Sequence, residues 1–322
     1  MSLGPVVVSR GTLGLLHFED NLVLIYSFFL SIAGIGRAAC LEFAKAGMTV
    51  WMADIDEPEL KAAQQKVQEV ATGDAKIEIR VVDVADAAAL TKLADDVFAN
   101  GGKCHILMNN AGIGQGGGAM TDMDTFLKVM GVNTYGPIHG CLAFVPKMKE
   151  SGEPGIVVNT GSKQGITMPP GNLTYNVSKA ALKAYTEGLE HEFMKARVDG
   201  GGKLRAALLI PGWVNTSIVK KSMKAAAEAK GETLDEDKVF FHEDKPADGA
   251  WMPKQVVDFM VQELDKGRFY IVCPDNDVDR ETDNLRMTWT MQDITKDRAP
   301  LSRWHPDYKD GFAEFLKANK ST

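Results

Sequence analysis

Seven short apolar runs alternate with six longer amphipathic segments along this chain, and few folds accept such an alternation. The runs cover residues 22–28, 49–53, 76–82, 105–109, 155–160, 204–210 and 269–272. The helical patterns cover 36–46, 57–71, 87–99, 123–150, 175–196 and 253–266. Strand–helix–strand repetition predicts right-handed crossover units wound into one parallel sheet. The runs are apolar throughout rather than alternating, as strands covered by helices on both faces require. The expected fold class is therefore α/β: a doubly wound parallel sheet of about seven strands, in a single domain with an extended C-terminal tail. Length alone would suggest roughly two domains, but no Pro-, Gly- or Ser-rich linker divides the series.

Composition narrows the function classes. Apolar residues make up 45% of the 322, charged residues 25%, and the net charge is −7, the balance of an ordinary globular protein. An acidic balance without a Lys/Arg block argues against nucleic acid as a partner. The four cysteines, Cys40, Cys104, Cys141 and Cys273, form no C-x-x-C pair. They read as small apolar core residues of a reducing compartment, which points to the cytoplasm. The six histidines lack ligand spacing, so no metal site is assigned. From Asn21 to Gly36 no residue carries a charge. That stretch is short for a membrane span and lacks the basic start of a signal peptide. A buried strand is the favoured reading, with anchor and signal as the alternatives.

In doubly wound sheets, ligands sit at the carboxyl ends of the strands. Gly34-Ile35-Gly36 follows the first run and opens a helical pattern, where glycines let a pyrophosphate approach the backbone and the positive helix terminus. Asp54 ends the second run, placed to accept hydrogen bonds from ribose hydroxyls. The plainer alternative is a tight Gly turn and an Asp that caps the next helix. Gly112, Gly114 and Gly117 also spell G-x-G-x-x-G, but no acidic residue ends the next strand at suitable spacing, so that match is a decoy. Tyr175 and Lys179 lie four apart, on one helix face. A nearby ammonium lowers a phenol's pKa toward neutrality, which suits proton exchange with a carbonyl or alcohol oxygen. Ser162, at the end of the fifth run, could hydrogen-bond the same oxygen.

Gly34-Ile35-Gly36, Asn109-Asn110-Ala111-Gly112, Asn133, Ser162, Tyr175-x-x-x-Lys179 and Pro211-Gly212 stand in the order and spacing of the short-chain dehydrogenase/reductase family, which the chain resembles over about residues 34–273. The resemblance implies a Rossmann-like fold and hydride transfer between a nicotinamide cofactor and an alcohol or carbonyl. It makes Tyr175 the general acid/base, and Lys179 the residue that binds the nicotinamide ribose and lowers the tyrosine pKa. Ser162 would orient the substrate oxygen, and Asn133 would hold a water in the proton relay. Asn109, Asn110, Ala111 and Gly112 would shape the cofactor cleft. Asp83, with Val84 beside it, would meet the adenine, and Pro211, Gly212, Val214 and Thr216 would contact the nicotinamide carboxamide. Asp54, with Asp56 and Glu57 nearby, would repel a 2′-phosphate, so NAD is the expected cofactor rather than NADP. Family members are usually dimers or tetramers, and the implied partners are a small alcohol or carbonyl substrate and further copies of the chain.

The chain departs from the family in its leader, residues 1–33. Where the glycine motif should begin Thr-Gly, this sequence has Phe29-Leu30. A leucine there would crowd the pyrophosphate. The abrupt onset of resemblance at Gly34 suggests a mis-spliced first exon, the alternative being a genuine but divergent N-terminus with weak cofactor affinity. A cofactor-binding scaffold without turnover is therefore the second functional reading. A methyltransferase would have no use for the Tyr–Lys pair, and a membrane-anchored dehydrogenase would sacrifice the first strand. Residues 217–250 occupy the substrate-loop position and carry Met223, Phe240 and Phe241, with Trp213 before them and Trp251 after. They lean toward an apolar or aromatic substrate, although core packing explains them as well. Lys220, Lys221 and Lys224 read either as attracting an acidic group or as solvated lysines. Residues 274–322 read as a polar tail whose Trp289, Trp304 and Tyr308 close over the site or meet a partner subunit.

Overall fold

The computed structural model describes residues 22–26, 34–99, 102–114, 117–216, 233 and 248–321. The rest of the leader, including Phe29-Leu30, and Lys220, Lys221, Met223, Lys224, Phe240 and Phe241 of the expected substrate loop lie outside the described residues.

Five of the apolar runs form β1 (Leu22–Tyr26), β2 (Thr49–Asp54), β3 (Ile77–Val81), β4 (Ile106–Asn109) and β5 (Gly155–Thr160). The last two form β6 (Leu204–Ile210) and β7 (Tyr270–Val272). Every pairing is parallel, in the order β3-β2-β1-β4-β5-β6-β7. The order of winding reverses between β1 and β4, which opens a crevice at the carboxyl ends of those strands.

Helices cover both faces. On one face α1 (Ile35–Lys45), α2 (Glu57–Gln68) and α8 (Pro253–Asp265) pack Phe43, Leu60, Val256 and Met260 against the strands. On the other, α3 (Ala87–Phe98), α5 (Gly136–Ser151) and α7 (Leu173–Val198) contribute Leu90, Leu93, Phe144, Met148 and Phe193. Local chemistry fixes where several helices start. Asp56, Asp86 and Asp122 each accept a hydrogen bond from a first-turn backbone N–H, of Glu59, of Ala88 and Ala89, and of Thr125 respectively, which satisfies donors the helix cannot use itself. All four cysteines are free and buried.

Two readings of the sequence need correction. Residues 123–150 do not form one uniform α-helix: α4 (Met123–Met130) and α5 are joined by a π-helical turn, Gly131–Tyr135, that carries Asn133. Widening the coil by one residue per turn rotates the side chains, and apolar periodicity does not report it. The stretch after β7, read from the sequence as a polar tail, has regular structure. It contains α9 (Arg280–Thr295), two 3₁₀ turns, Ser302–Trp304 and Pro306–Tyr308, and α10 (Lys309–Asn319). Its hydrophobic content is concentrated in one buried residue. The Trp289 ring meets Phe312 and Phe315, with centroids 5.3 and 5.2 Å away. The Arg298 guanidinium lies 3.7 Å from its centroid, and its Nε1 donates to Ser302 Oγ at 2.7 Å. Trp289 is therefore the extension's own core rather than a cover for the site. Trp304 and Tyr308 are likewise engaged locally, with Arg303 and with Ala299 and His305.

No helix among the described residues is long and apolar enough to cross a membrane. Truncating Trp289 to Ala removes the centre of the extension and is expected to cost about 3–5 kcal/mol in its local stability. Amide exchange over residues 280–319 measures this, the expected result being loss of protection there with the strands still protected.

Candidate active site

The site is assembled at the ends of β4 and β5. In β4 and β5 the facing residues Asn109 and Asn159 are both buried, and Asn109 Nδ2 donates to Asn159 Oδ1 at 2.8 Å. Asn159 Nδ2 in turn donates to Thr186 Oγ1 of α7 at 3.0 Å. One residue further on, Thr160 Oγ1 donates to Asn110 Oδ1 at 3.1 Å. These bonds fix the strand ends relative to α7, the helix that bears Tyr175 and Lys179.

Lys179 is 3% exposed and its Nζ donates to the Thr160 carbonyl at 2.8 Å. Burial pushes its pKa down to about 8. The ammonium lies 5.8 Å from the centroid of the Tyr175 ring. Sequence reasoning expected that charge to lower the phenol. Instead, burial raises the Tyr175 pKa, with a hydrogen bond from Ser162 acting in the opposite sense. In this structure the lysine serves a backbone carbonyl, and desolvation of the phenol dominates. Ser162 is held by its own turn, its Oγ accepting from the Gln164 backbone N–H at 3.1 Å.

Asn133 is fully buried in the π-helical turn. Its side chain reads the backbone of Ile113 from both ends: Oδ1 accepts from Ile113 N–H at 2.8 Å and Nδ2 donates to Ile113 C=O at 3.0 Å. Nδ2 also reaches Ser178 Oγ at 3.0 Å. A β-carbon on Gly112 would sit 3.5 Å from both Asn133 Oδ1 and Lys179 Nζ, so the glycine borders both groups. Asn110, Gly112, Asn133, Ser162, Tyr175 and Lys179 thus come together. Gly165 shows how tightly. A β-carbon there would approach the Lys179 backbone to 2.7 Å, so only glycine lets the short helix α6 (Gln164–Thr167) lie against α7 at this level.

The remaining expected residues line other strand ends. Gly34 precedes α1, gives no side-chain cap, and the first turn of that helix holds no acidic residue. Such a terminus suits an anionic group. Asp54 is 2% exposed at the end of β2, with Oδ1 accepting from Asp56 N–H at 2.9 Å. Val82 N–H donates to Asp54 C=O, which brings the following Asp83-Val84 loop alongside. Asp83 is exposed and Val84 buried. Pro211 and Val214 are buried after β6, and Gly212 and Thr216 are partly accessible. Trp251 bridges to Val214 and packs edge-on against Phe259 in the core, so it is a packing residue, whereas Trp213 is 44% exposed. The donor set fits a dinucleotide: an uncapped, acid-free helix start, a carboxylate one strand over, and a buried ammonium beside a tyrosine. Thr160, Ser178, Thr186 and Gly165 escaped the sequence reading because their roles consist of contacts across the chain, with no spacing signature.

The sequence profile described as short chain dehydrogenase matches residues 31–227. The chain belongs to the short-chain dehydrogenase family. Relatives within it include the 1-deoxy-11-beta-hydroxypentalenate dehydrogenase of Streptomyces avermitilis, 31% identical over 85% of this chain and 92% of that protein. The probable oxidoreductase EphD of Mycobacterium tuberculosis is 31% identical over 78% of this chain. Only 40% of that protein's length is spanned by the match. Among solved structures, a short chain dehydrogenase/reductase from Burkholderia phymatum in complex with NAD aligns with a TM-score of 0.70 at 28% identity, over 88% of this chain and 98% of that one. An apo LigO structure from Sphingobium has the same fold at 21% identity, with a TM-score of 0.65.

The depressed Lys179 of this dehydrogenase fold has a consequence for stability. The folded chain releases the Lys179 proton near pH 8, while the unfolded chain holds it to about 10.5. Between those values the unfolded state binds more protons, so stability rises with pH. The gain is on the order of 3 kcal/mol. Urea unfolding of the wild type and of Lys179→Met at several pH values tests this, the expected result being a rise across that window that the variant lacks.

Proposed function

We propose that this protein is an NAD(H)-dependent oxidoreductase that interconverts an alcohol with a ketone or aldehyde, with Tyr175 as general acid/base. The observation that carries the reading is the convergence of Tyr175, Ser162, Lys179 and Asn133 behind the ends of β4 and β5. When bound, the nicotinamide supplies or accepts the hydride. The protein's own groups then handle the oxygen. Ser162, whose hydroxyl acts against the effect of burial on the Tyr175 phenol, orients the substrate oxygen beside it. In the reductive direction Tyr175 gives its proton to that oxygen, and in the oxidative direction it takes the proton away. Lys179 would hold the nicotinamide ribose, and its positive charge would favour the tyrosinate. Asn133 holds the Ile113 backbone and Ser178, fixing the wall through which a relayed proton would pass.

Cofactor choice rests on Asp54, with Asp83 and Val84 toward the adenine and Pro211, Gly212, Val214 and Thr216 toward the carboxamide. A buried carboxylate at the end of β2 suits two ribose hydroxyls and repels a 2′-phosphate. The catalytic unit we assign to β1 and residues 34–273, with an apolar or aromatic alcohol as the substrate class. The exposed Met123, Leu127 and Leu142 of α4 and α5 support self-association of the chain.

A panel of alcohols that includes 1-phenylethanol, followed by NADH absorbance, tests the reaction. Tyr175→Phe is expected to lower turnover by about 100-fold or more while NADH binding, read by fluorescence, stays intact. Unchanged turnover would remove Tyr175 from the chemistry. For the cofactor, kcat/KM with NAD is expected to exceed that with NADP, and Asp54→Asn to narrow the ratio by about tenfold. A wild type that prefers NADP would refute the assignment.

A further inference from the structure

The residue after Ser162 has no role in the reading above, yet it is tied more heavily than any other part of that turn. Lys163 projects between two carboxylates from the far end of the chain. Its Nζ lies 3.1 Å from Asp275 Oδ2, just after β7, and 2.6 Å from Asp283 Oδ2 in α9. The three side chains are 16, 9 and 5% exposed, so the cluster is withdrawn from water. Burial raises the Asp283 pKa and Lys163 pulls it back, as expected for a carboxylate that keeps its charge only beside a cation.

The cluster also reaches the loop after β6. Lys163 N–H donates to Pro211 C=O at 3.2 Å, and Trp213 N–H is directed at Asp275 Oδ2 at 3.4 Å. Gly212 lies directly over the charges. A β-carbon there would stand 2.7 Å from Lys163 Nζ and would collide with the Asp275 carboxylate. Nearby, Ile166 of α6 and Met287 of α9 pack on the same small cluster of Leu208, Ile210 and Val272. The C-terminal extension is therefore fastened to the Ser162 turn by charge and to the loop after β6 by a hydrogen bond.

We propose that Lys163 is a positioning residue: clamped between Asp275 and Asp283, it ties the Ser162 turn and the Pro211–Gly212–Trp213 loop to the C-terminal extension, so the extension helps hold Ser162 in place for the reaction. The inference rests on the catalytic reading of Ser162. It assigns the extension a function at the site, exerted through Asp275 and Asp283 rather than through its own aromatic core.

The test uses the full-length chain. Asp283→Asn is nearly isosteric and removes one anchor, while Lys163→Met removes the cation and leaves two facing carboxylates. Lys320→Ala is the control, because Lys320 pairs with Asp279 at 2.9 Å and donates to Thr282 Oγ1 at 3.0 Å, so it holds the start of α9 without bonding the clamp's three side chains. Hydrogen exchange by mass spectrometry is read over residues 160–168, 211–216 and 280–319. In Asp283→Asn, exchange is expected to quicken by about tenfold or more in the first two segments, with the central strands unchanged. Lys320→Ala should affect only the third. With NAD and 1-phenylethanol, kcat of Asp283→Asn should fall by about tenfold while KM for NAD stays within about twofold. Faster exchange confined to 280–319, or a fall in NAD affinity with kcat preserved, overturns the clamp. If the wild type turns over no alcohol in the panel but 160–168 still loosens, the clamp stands and the oxidoreductase reading fails.

Discussion

Everything at the site depends on a short series of buried amide and hydroxyl groups that ties two strand ends to one helix. Asn109 donates to Asn159, and Asn159 donates to Thr186 of α7. In a low-dielectric interior such groups are costly to leave unpaired, so the series holds only when β4, β5 and α7 sit in one register. A slip of one residue would place an amide against apolar neighbours. That register fixes where Asn110, Ser162, Tyr175 and Lys179 stand relative to one another. The sheet supplies adhesion through Val, Ile and Leu, but the polar series supplies alignment.

The balance at Tyr175 and Lys179 follows from the same enclosure. Withdrawing both groups from water disfavours the charged form of each, raising the phenol and lowering the ammonium. The two shifts carry the pair apart, because the free groups start close together and the phenol rises while the ammonium falls to about 8. The Ser162 hydrogen bond adjusts the phenol further. Enclosure, rather than the lysine's charge, dominates the ionisation of the pair.

At the other end of the chain, the extension has two layers of organisation. Trp289, stacked with Arg298 and bonded to Ser302, builds a small core of its own. Asp283, in the first turn of α9, reaches Lys163, the residue after Ser162. The apolar layer gives the extension a shape, and the charged layer fixes where that shape is attached. Burying an unequal set of charges costs stability unless each finds a partner, so the attachment is specific.

The sequence by itself determined the alternation of strands and helices, because burial on both faces of a parallel sheet leaves an unbroken apolar signature. It also marked Gly34, Asp54, Ser162, Tyr175 and Lys179, whose chemistry is local to a turn or a single helix face. It could not show the π-helical turn at Asn133, since apolar periodicity is insensitive to one inserted residue. Nor could it show the extension's fold, where Trp289 of one helix gathers Phe312 and Phe315 of another. Only the tertiary structure decided that Asn133 faces inward onto Ile113, that Lys179 serves Thr160, and that Lys163 meets Asp275 and Asp283 more than a hundred positions away. The physical reason is the same in each case: a hydrogen bond or ion pair across the chain depends on distance in space, and a linear pattern records only distance along the backbone.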